Sequence, residues 1–368
     1  MSKVKEFYKA NERRKLALLT VLIVLIVITM FVALDTGPTK ISVTDLLLAI
    51  GHALFPNHIS APVNAAATPI IISVRMPRVF LAILAGVALG YSGTVMQATL
   101  RNPLVSPFTL GLSSAASFGA AVSIVMGSSL FGAFYSGSIT IAGQYFGNSS
   151  IIMMLFAFIF GMLSIFLVYS ISRRQRSSQS IIILAGVVIG YLFQAGITYL
   201  KYASNDEALR EITLWLMGGM WGASWAAIFI LLPIVIICFA AVMGDAVKFN
   251  ALLGGDDVAS NLGIDVPRLR LYSLVTVSLA ASACIAFTGI IGFIGLMAPH
   301  ICRMIIGNDQ RYLIPVSALM GALILLVSDT VARVIIAPEE LPVGVIMYLI
   351  GGIFFVYLIT MGQGRKIE

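Results

Sequence analysis

Ten stretches of 16 to 22 residues, nearly free of charge, recur along this 368-residue chain and constrain its fold more than any other feature. They cover 16–34, 79–98, 109–128, 150–171, 181–200, 223–243, 271–290, 291–306, 312–331 and 342–361. A helix of about 20 residues rises about 30 Å, the thickness of a bilayer's hydrocarbon core. Lipid offers no hydrogen-bond partners, so a spanning segment must satisfy its backbone internally, and apolar runs of this length do so as helices. Only 11% of the residues are charged and 59% are hydrophobic, against about 25% charged in a soluble domain. The expected fold is an all-α integral membrane protein of about ten transmembrane helices. Residues 1–368 form a single membrane domain with short loops, since no polar block is long enough for a second one. Gly289, Gly292 and Gly295 interrupt the apolar stretch 271–306. A single helix there would overrun the bilayer, so two helices joined by a tight Gly-rich turn are expected.

The first apolar run follows Lys3, Lys5, Lys9, Arg13, Arg14 and Lys15. A signal-peptide core is shorter and ends in a small-residue cleavage site. Leu34-Asp35-Thr36-Gly37-Pro38 does not have that form, so 16–34 is expected to remain as the first membrane helix. With ten spans, 17 of the 23 Lys and Arg residues fall on the side of the N-terminus. The positive-inside rule then puts both termini in the cytoplasm.

The net charge of +7 is dispersed between apolar runs, whereas nucleic-acid binding needs a clustered basic face; no nucleic-acid partner is expected. Cys238, Cys284 and Cys302 fit no zinc or redox spacing and read as small buried hydrophobes. The 16 methionines are scattered rather than paired at helical spacing, which suits gap-filling better than a copper path. His52 and His58 fall on the opposite side of the membrane from a site that could include His300. No metal site and no cofactor are expected. Leu84-Ala85-Gly86-Val87-Ala88-Leu89-Gly90-Tyr91 is echoed by Leu184-Ala185-Gly186-Val187-Val188-Ile189-Gly190-Tyr191. The echo fits an inverted repeat and equally a generic small-residue packing motif.

The sequence features that discriminate among functions lie between the spans. Arg75-Met76-Pro77-Arg78 precedes the second span, and Gln97-Ala98-Thr99-Leu100-Arg101-Asn102-Pro103-Leu104-Val105-Ser106-Pro107 follows it. Further on stand Gly292-Phe293-Ile294-Gly295-Leu296-Met297-Ala298-Pro299-His300-Ile301-Cys302-Arg303, Ser328-Asp329-Thr330-Val331-Ala332-Arg333 and Glu340-Leu341-Pro342-Val343-Gly344. Each is weak alone, but the five in this order, from about Ile41 to Leu358, resemble the FecCD-type permease family. That family supplies membrane subunits of ABC importers for iron chelates, haem and cobalamin. The resemblance implies a paired permease, with a homodimer expected, in the cell membrane. It also implies two cytoplasmic ATPase subunits and an extracytoplasmic substrate-binding protein. An iron chelate is the expected cargo, with haem, cobalamin and other metal complexes open.

The resemblance also implies roles for particular residues. The cytoplasmic loop 244–270 would carry the coupling helix that fits a cleft on the ATPase, through Gly255, Asp256, Asp257, Val258, Ala259, Leu262 and Gly263. Independently, the acids sit where they complement a helix dipole, Gly263 suits a left-handed cap, and Val258 and Leu262 share one face. Either Asp256 or Asp257 could be the acid in register. Arg75, Arg78 and Arg333 fall on the outer side and would pair with glutamates of the binding protein, with Asp329 four residues before Arg333 to position it. Arginines at helix ends also simply snorkel to headgroups. Ser177 and Ser178 would stand at a cytoplasmic gate, in what is otherwise an ordinary basic loop. The fifth span, with Ala185, Gly186, Gly190, Ala195 and Gly196, would line the path, leaving room for a ligand or a partner helix.

Two other functions are weaker fits. A secondary transporter needs ionisable coupling residues mid-membrane, and an intramembrane enzyme needs a catalytic constellation within the spans; neither stands out. No lysine follows a glycine anywhere in the chain, so the phosphate-cradling Gly-Lys-Ser/Thr loop is absent. The purified chain alone is therefore expected to bind no ATP stoichiometrically, which equilibrium dialysis with labelled ATP checks directly.

Overall fold

A computed structural model describes residues 2–141, 144–174 and 179–362. Fourteen α-helices appear among these residues. The long ones are α1 (Ser2–Asp35), α3 (Met76–Thr99), α4 (Leu112–Phe131), α5 (Asn148–Arg174), α6 (Gln179–Ala203), α8 (Trp225–Gly244), α11 (Val266–Thr288), α13 (Gln310–Ala332) and α14 (Val343–Gly362). Nine helical stretches in the described residues are long and apolar enough to cross a membrane. The short ones are α2 (Val43–Leu54), α7 (Asp206–Met217), α9 (Ala246–Leu253), α10 (Asp256–Asn261) and α12 (Ile294–Ile306). A π-helical turn, Pro69–Arg75, leads into α3, and a two-stranded hairpin joins β1 (Ser138–Ile141) to β2 (Gln144–Gly147).

Helix starts are marked by local chemistry. Ser42, Asn205, Ser224, Asp265 and Asp309 each accept a hydrogen bond from a backbone N–H in the first turn of α2, α7, α8, α11 and α13. Such caps satisfy donors that have no partner within the helix.

Helix α3 is the axis of the bundle, buried along most of its length against α13, α11, α12 and α8. Its contact with α13 is made backbone to backbone: a Cβ on Gly86 would land on the carbonyl of Gly321, and one on Gly321 would land on that of Gly86. Gly90 meets Ser317 and Ala318 in the same way. Small residues are the means by which membrane helices approach closely, because lipid supplies little hydrophobic drive between them. The small residues of the Leu84–Tyr91 motif therefore have a packing role.

The ends of α3 define two ends of the molecule. One, taken as outer from the charge rule, gathers the end of α1, the starts of α3 and α8 and the end of α13, where Trp225 Nε1 donates to the Ile72 carbonyl at 2.8 Å. The inner end gathers Lys15, the end of α3, α9, α10 and the start of α13. There Asp309 accepts from Asn250 at 2.9 Å and Arg311 at 2.8 Å, and pairs with buried Lys15 at 3.4 Å. The hydrogen bonds from Arg311, joined by that from Asn250, outweigh partial burial and hold the Asp309 carboxyl well below the usual range. This carboxylate ties α1 and α9 to the start of α13.

Eight expected spans coincide with long helices to within about five residues, and the first, 16–34, lies inside the longer α1, Ser2–Asp35. The stretch 291–306 differs. The turn comes where the glycines placed it, with left-handed backbone at Gly289 (φ 65°) and Phe293 (φ 66°). Helix α12 then starts inside the bundle, and its Gly295 carbonyl accepts from Gln97 Nε2 of α3 at 3.2 Å. Its 13 residues rise only about 20 Å, so α12 is a partial span whose start is buried in protein, as lipid demands.

Replacing Gly321 with Val would force α3 and α13 apart. A loss of about 1–3 kcal/mol or more is expected, as for overpacked cores, read as a lowered thermal midpoint of the protein in detergent micelles.

Candidate functional site

The inner-end site is built around α10. The chain enters it through Gly255, at φ 123°, and leaves it through Gly263, at φ 80°. The N–H of Gly263 donates to the Ser260 carbonyl at 2.9 Å and that of Ile264 to the Ala259 carbonyl at 3.1 Å. This is a Schellman closure, which only a residue tolerant of left-handed backbone makes without strain.

The residues of α10 divide between two faces. Val258 is 47% exposed and Leu262 67% exposed, and Asp257 is exposed beside them. Asp256 turns the other way. Its carboxylate accepts from Arg270 Nη2 at 3.1 Å and from Gln179 Nε2 at 3.2 Å, and lies 3.5 Å from Arg101 Nη2. Ala259 is fully buried beneath α10. Of the residues expected to face an ATPase, Asp257, Val258 and Leu262 are presented outward, while Ala259 and Asp256 seat the helix on its own subunit. The physical reason is the helix period: positions 258 and 262 share a face, and 259 is rotated about 100° away.

The outer end brings Arg75, Arg78 and Arg333 together, as expected from their side of the membrane, but turns them inward. Buried Arg75 donates to the carbonyls of Leu34, Asp35 and Thr39. Buried Arg333 donates to those of Ala33 and Thr36, each at 3.0 Å, and its Nε lies 3.3 Å from Asp329. Arg78 grips the fully buried Asp329 at 2.9 Å and also pairs with Glu340. The guanidinium donors thus satisfy the last carbonyls of α1, which have no partner within the helix. Within the chain all three are thus engaged by its own groups; of the three, which were expected to pair with glutamates of a binding protein, Arg78 reaches nearest the rim, at 13% exposure. The sequence pointed to Asp329 as a partner of Arg333; Glu340 and the α1 carbonyls carried no comparable signal.

The helix expected to line the path is α6. Gly186 and Gly190, expected to leave room for a ligand or a helix, are instead filled by the subunit's own segment at Leu110–Gly111, and Gly196 abuts Phe118. Beside them a cleft of about 270 Å³ opens between α6 and the start of α4, lined by Phe108, Thr109, Ser114, Tyr191 and Gln194. Tyr191 is 72% exposed. A tyrosine and a glutamine presented from the middle of an apolar helix fit lipid chains poorly and fit a water-lined or protein-covered face well. Ser177 and Ser178 lie outside the described residues.

Comparison with known proteins places these features in context. The model of the FecCD transport family matches residues 23–361. The hemin transport system permease protein HmuU of Yersinia pestis is 36% identical over 305 residues, covering 82% of this chain and 86% of that protein. The Fe(3+)-citrate import system permease protein YfmE of Bacillus subtilis is 32% identical over 367 residues, covering 99% of this chain and 100% of that one. A solved structure of a metal-chelate type ABC transporter in an inward-facing conformation superposes with a TM-score of 0.78 at 27% identity, over 93% of this chain and 98% of that one.

Arg333→Glu would set a second carboxylate against buried Asp329 and remove the donor to the Ala33 and Thr36 carbonyls. Breaking a buried pair in this way costs about 3–5 kcal/mol, so this variant is expected to lose most of its monodisperse fraction in detergent size-exclusion chromatography. Arg333→Lys should lie between it and the native chain, because a lysine has one nitrogen and cannot reach the two carbonyls and Asp329 from separate nitrogens, as Nη1 and Nε do.

Proposed function

The chain belongs to the FecCD transport family, and from that premise we propose that it is the membrane-spanning permease subunit of a binding-protein-dependent ABC importer for a metal chelate. The observation that carries this reading is the extent of the likeness: the family match runs over residues 23–361, and the permease relatives are matched along most or all of their length. Those relatives carry hemin and ferric citrate in their names, so the cargo proposed here is an iron chelate, taken at the level of that class. ATP is hydrolysed by a separate pair of ATPase subunits. The absence of any Gly-Lys pair supports that division of labour.

In this reading residues 1–368 are one permease domain in the cytoplasmic membrane, with both termini in the cytoplasm, and two copies enclose the path. Helix α10, within the loop 244–270, is the coupling element. Its exposed Val258 and Leu262 offer a small apolar knob, with Asp257 as a charged neighbour. Its rigid closure through Gly255 and Gly263 keeps the knob preformed, which lowers the ordering cost of docking. At the outer end, the binding protein docks on the rim that Arg75, Arg78 and Arg333 hold in shape, with Arg78 and Glu340 nearest to it. The gate is assigned to Ser177 and Ser178 on family likeness alone.

The test is reconstitution of the chain with its ATPase and binding-protein partners in proteoliposomes. ATP-dependent uptake of ferric citrate or hemin is the expected result; uptake driven by a proton or sodium gradient without ATP would overturn the reading. Within that assay, Asp257→Lys combined with Leu262→Asp should leave membrane insertion intact and weaken retention of the ATPase by about tenfold or more, as loss of an interface hot spot does. Co-purification ratios measure it.

A further inference from the structure

We infer that Asp256 and Gln179 form the internal link through which movement of α10 reaches the path helix α6, so that Asp256 acts inside the permease and not at the ATPase surface. The inference rests on the importer reading and specifies how motion enters the subunit.

The geometry is a three-way junction on one carboxylate. Arg270 Nη2 lies 3.1 Å from both Asp256 oxygens, Gln179 Nε2 donates to Oδ1 at 3.2 Å, and Arg101 Nη2 stands 3.5 Å from the same oxygen. The three donors belong to three different elements: α11, the first residue of α6, and the turn that ends α3. Arg270 is buried, and its Nε also reaches the carbonyl of Thr99 at 3.4 Å, while Thr99 shares a hydroxyl contact with Ser273 at 3.1 Å. That side of the junction is anchored in the packed core. Arg101 holds a left-handed backbone, φ 45°, which is uncommon for a residue with a side chain and marks a position held by its surroundings.

Gln179 differs from the other two donors. It is partly exposed, it opens α6, and it bridges 77 residues of sequence to reach Asp256. Helix α6 carries the exposed Tyr191 and the cleft-lining Gln194. A helix moves as a rigid rod when pulled at its end, so a displacement of α10 against the body would be delivered to α6 through this amide. The acceptor is a carboxylate, but it keeps Arg270 and Arg101 beside it when the amide is lost, so this one hydrogen bond at a partly exposed position adds little to stability. A purely structural role for Gln179 would therefore leave little trace when it is removed, whereas a transmission role leaves a specific one.

The experiment uses the full permease with its ATPase subunits in lipid nanodiscs. Cys238, Cys284 and Cys302 are buried, so Tyr191→Cys supplies one accessible thiol on the path face of α6. Its labelling rate with a membrane-impermeant maleimide is measured without nucleotide and with ATP plus orthovanadate. Nucleotide is expected to change that rate by about fivefold or more, the lower range of coupling between two sites, with Gln179 and with Gln179→Lys, which keeps a donor toward Asp256. The change should vanish in Gln179→Leu, which removes the donor, and in Gln179→Glu, which repels Asp256, while ATP hydrolysis persists. A nucleotide response preserved in both Gln179→Leu and Gln179→Glu would overturn the link. A complex that hydrolyses ATP without altering Tyr191→Cys labelling in the native Gln179 background would overturn α6 as the moving element, and the link with it. A complex with no ATPase activity would overturn the importer reading itself.

Discussion

The backbone-to-backbone contact of α3 with α13 at Gly86, Gly90 and Gly321 is the interaction on which the rest of the molecule depends. In lipid, apolar side chains gain little by leaving one apolar environment for another, so helix association relies on close packing and on hydrogen bonds. Glycine permits the first. The polar clusters at the two ends of α3 supply the second: Arg78 with Asp329 of α13 at the outer end, and the Thr99 carbonyl with Arg270 of α11 at the inner end. With both ends clamped and the middle in van der Waals contact, α3 serves as a fixed strut.

That strut explains how the two ends can have different tasks. At the outer end the arginines are spent on the unpaired carbonyls of α1 and on a carboxylate that has no exposure to water. A buried carboxylate is costly unless paired and hydrogen-bonded, and two guanidinium groups meet that need while joining α1, α3 and α13 into one rim. At the inner end the polar groups are arranged differently. Asp256 collects donors from elements that are otherwise separate, and Asp309 does the same for α1, α9 and α13. Both carboxylates sit where short helices meet long ones, positions suited to passing a displacement from a surface element to the bundle.

The same contrast appears along α6. Its small residues at 186 and 190 are filled by the subunit's own Leu110–Gly111 segment, whereas Tyr191 and Gln194 remain open to the outside of the single chain. One helix thus serves as packing partner on one side and as an available surface on the other. An uncharged, hydroxyl- and amide-bearing wall of this kind suits a passage better than a lipid boundary.

By itself the sequence located the nine long helices and most of their limits, because apolar run length maps directly onto bilayer thickness. It also located the Gly-rich turn before α12, the left-handed cap at Gly263, and the neighbourhood of Asp329 with Arg333, since all are local in chain position. The five ordered motifs were enough to indicate the family. Only the tertiary structure decided which way those residues face. Asp256 and Asp257 are adjacent and chemically identical, yet one clasps Arg270 and Gln179 and the other meets solvent, a difference set by how a six-residue helix lies on its neighbours. Ala259 proved to be buried against its own chain, and Arg75 and Arg333 proved to be internal ties. Apart from Asp329, their partners are backbone carbonyls, and every residue has one, so no pattern of side chains announces which carbonyls lack a helical partner once the chain is folded.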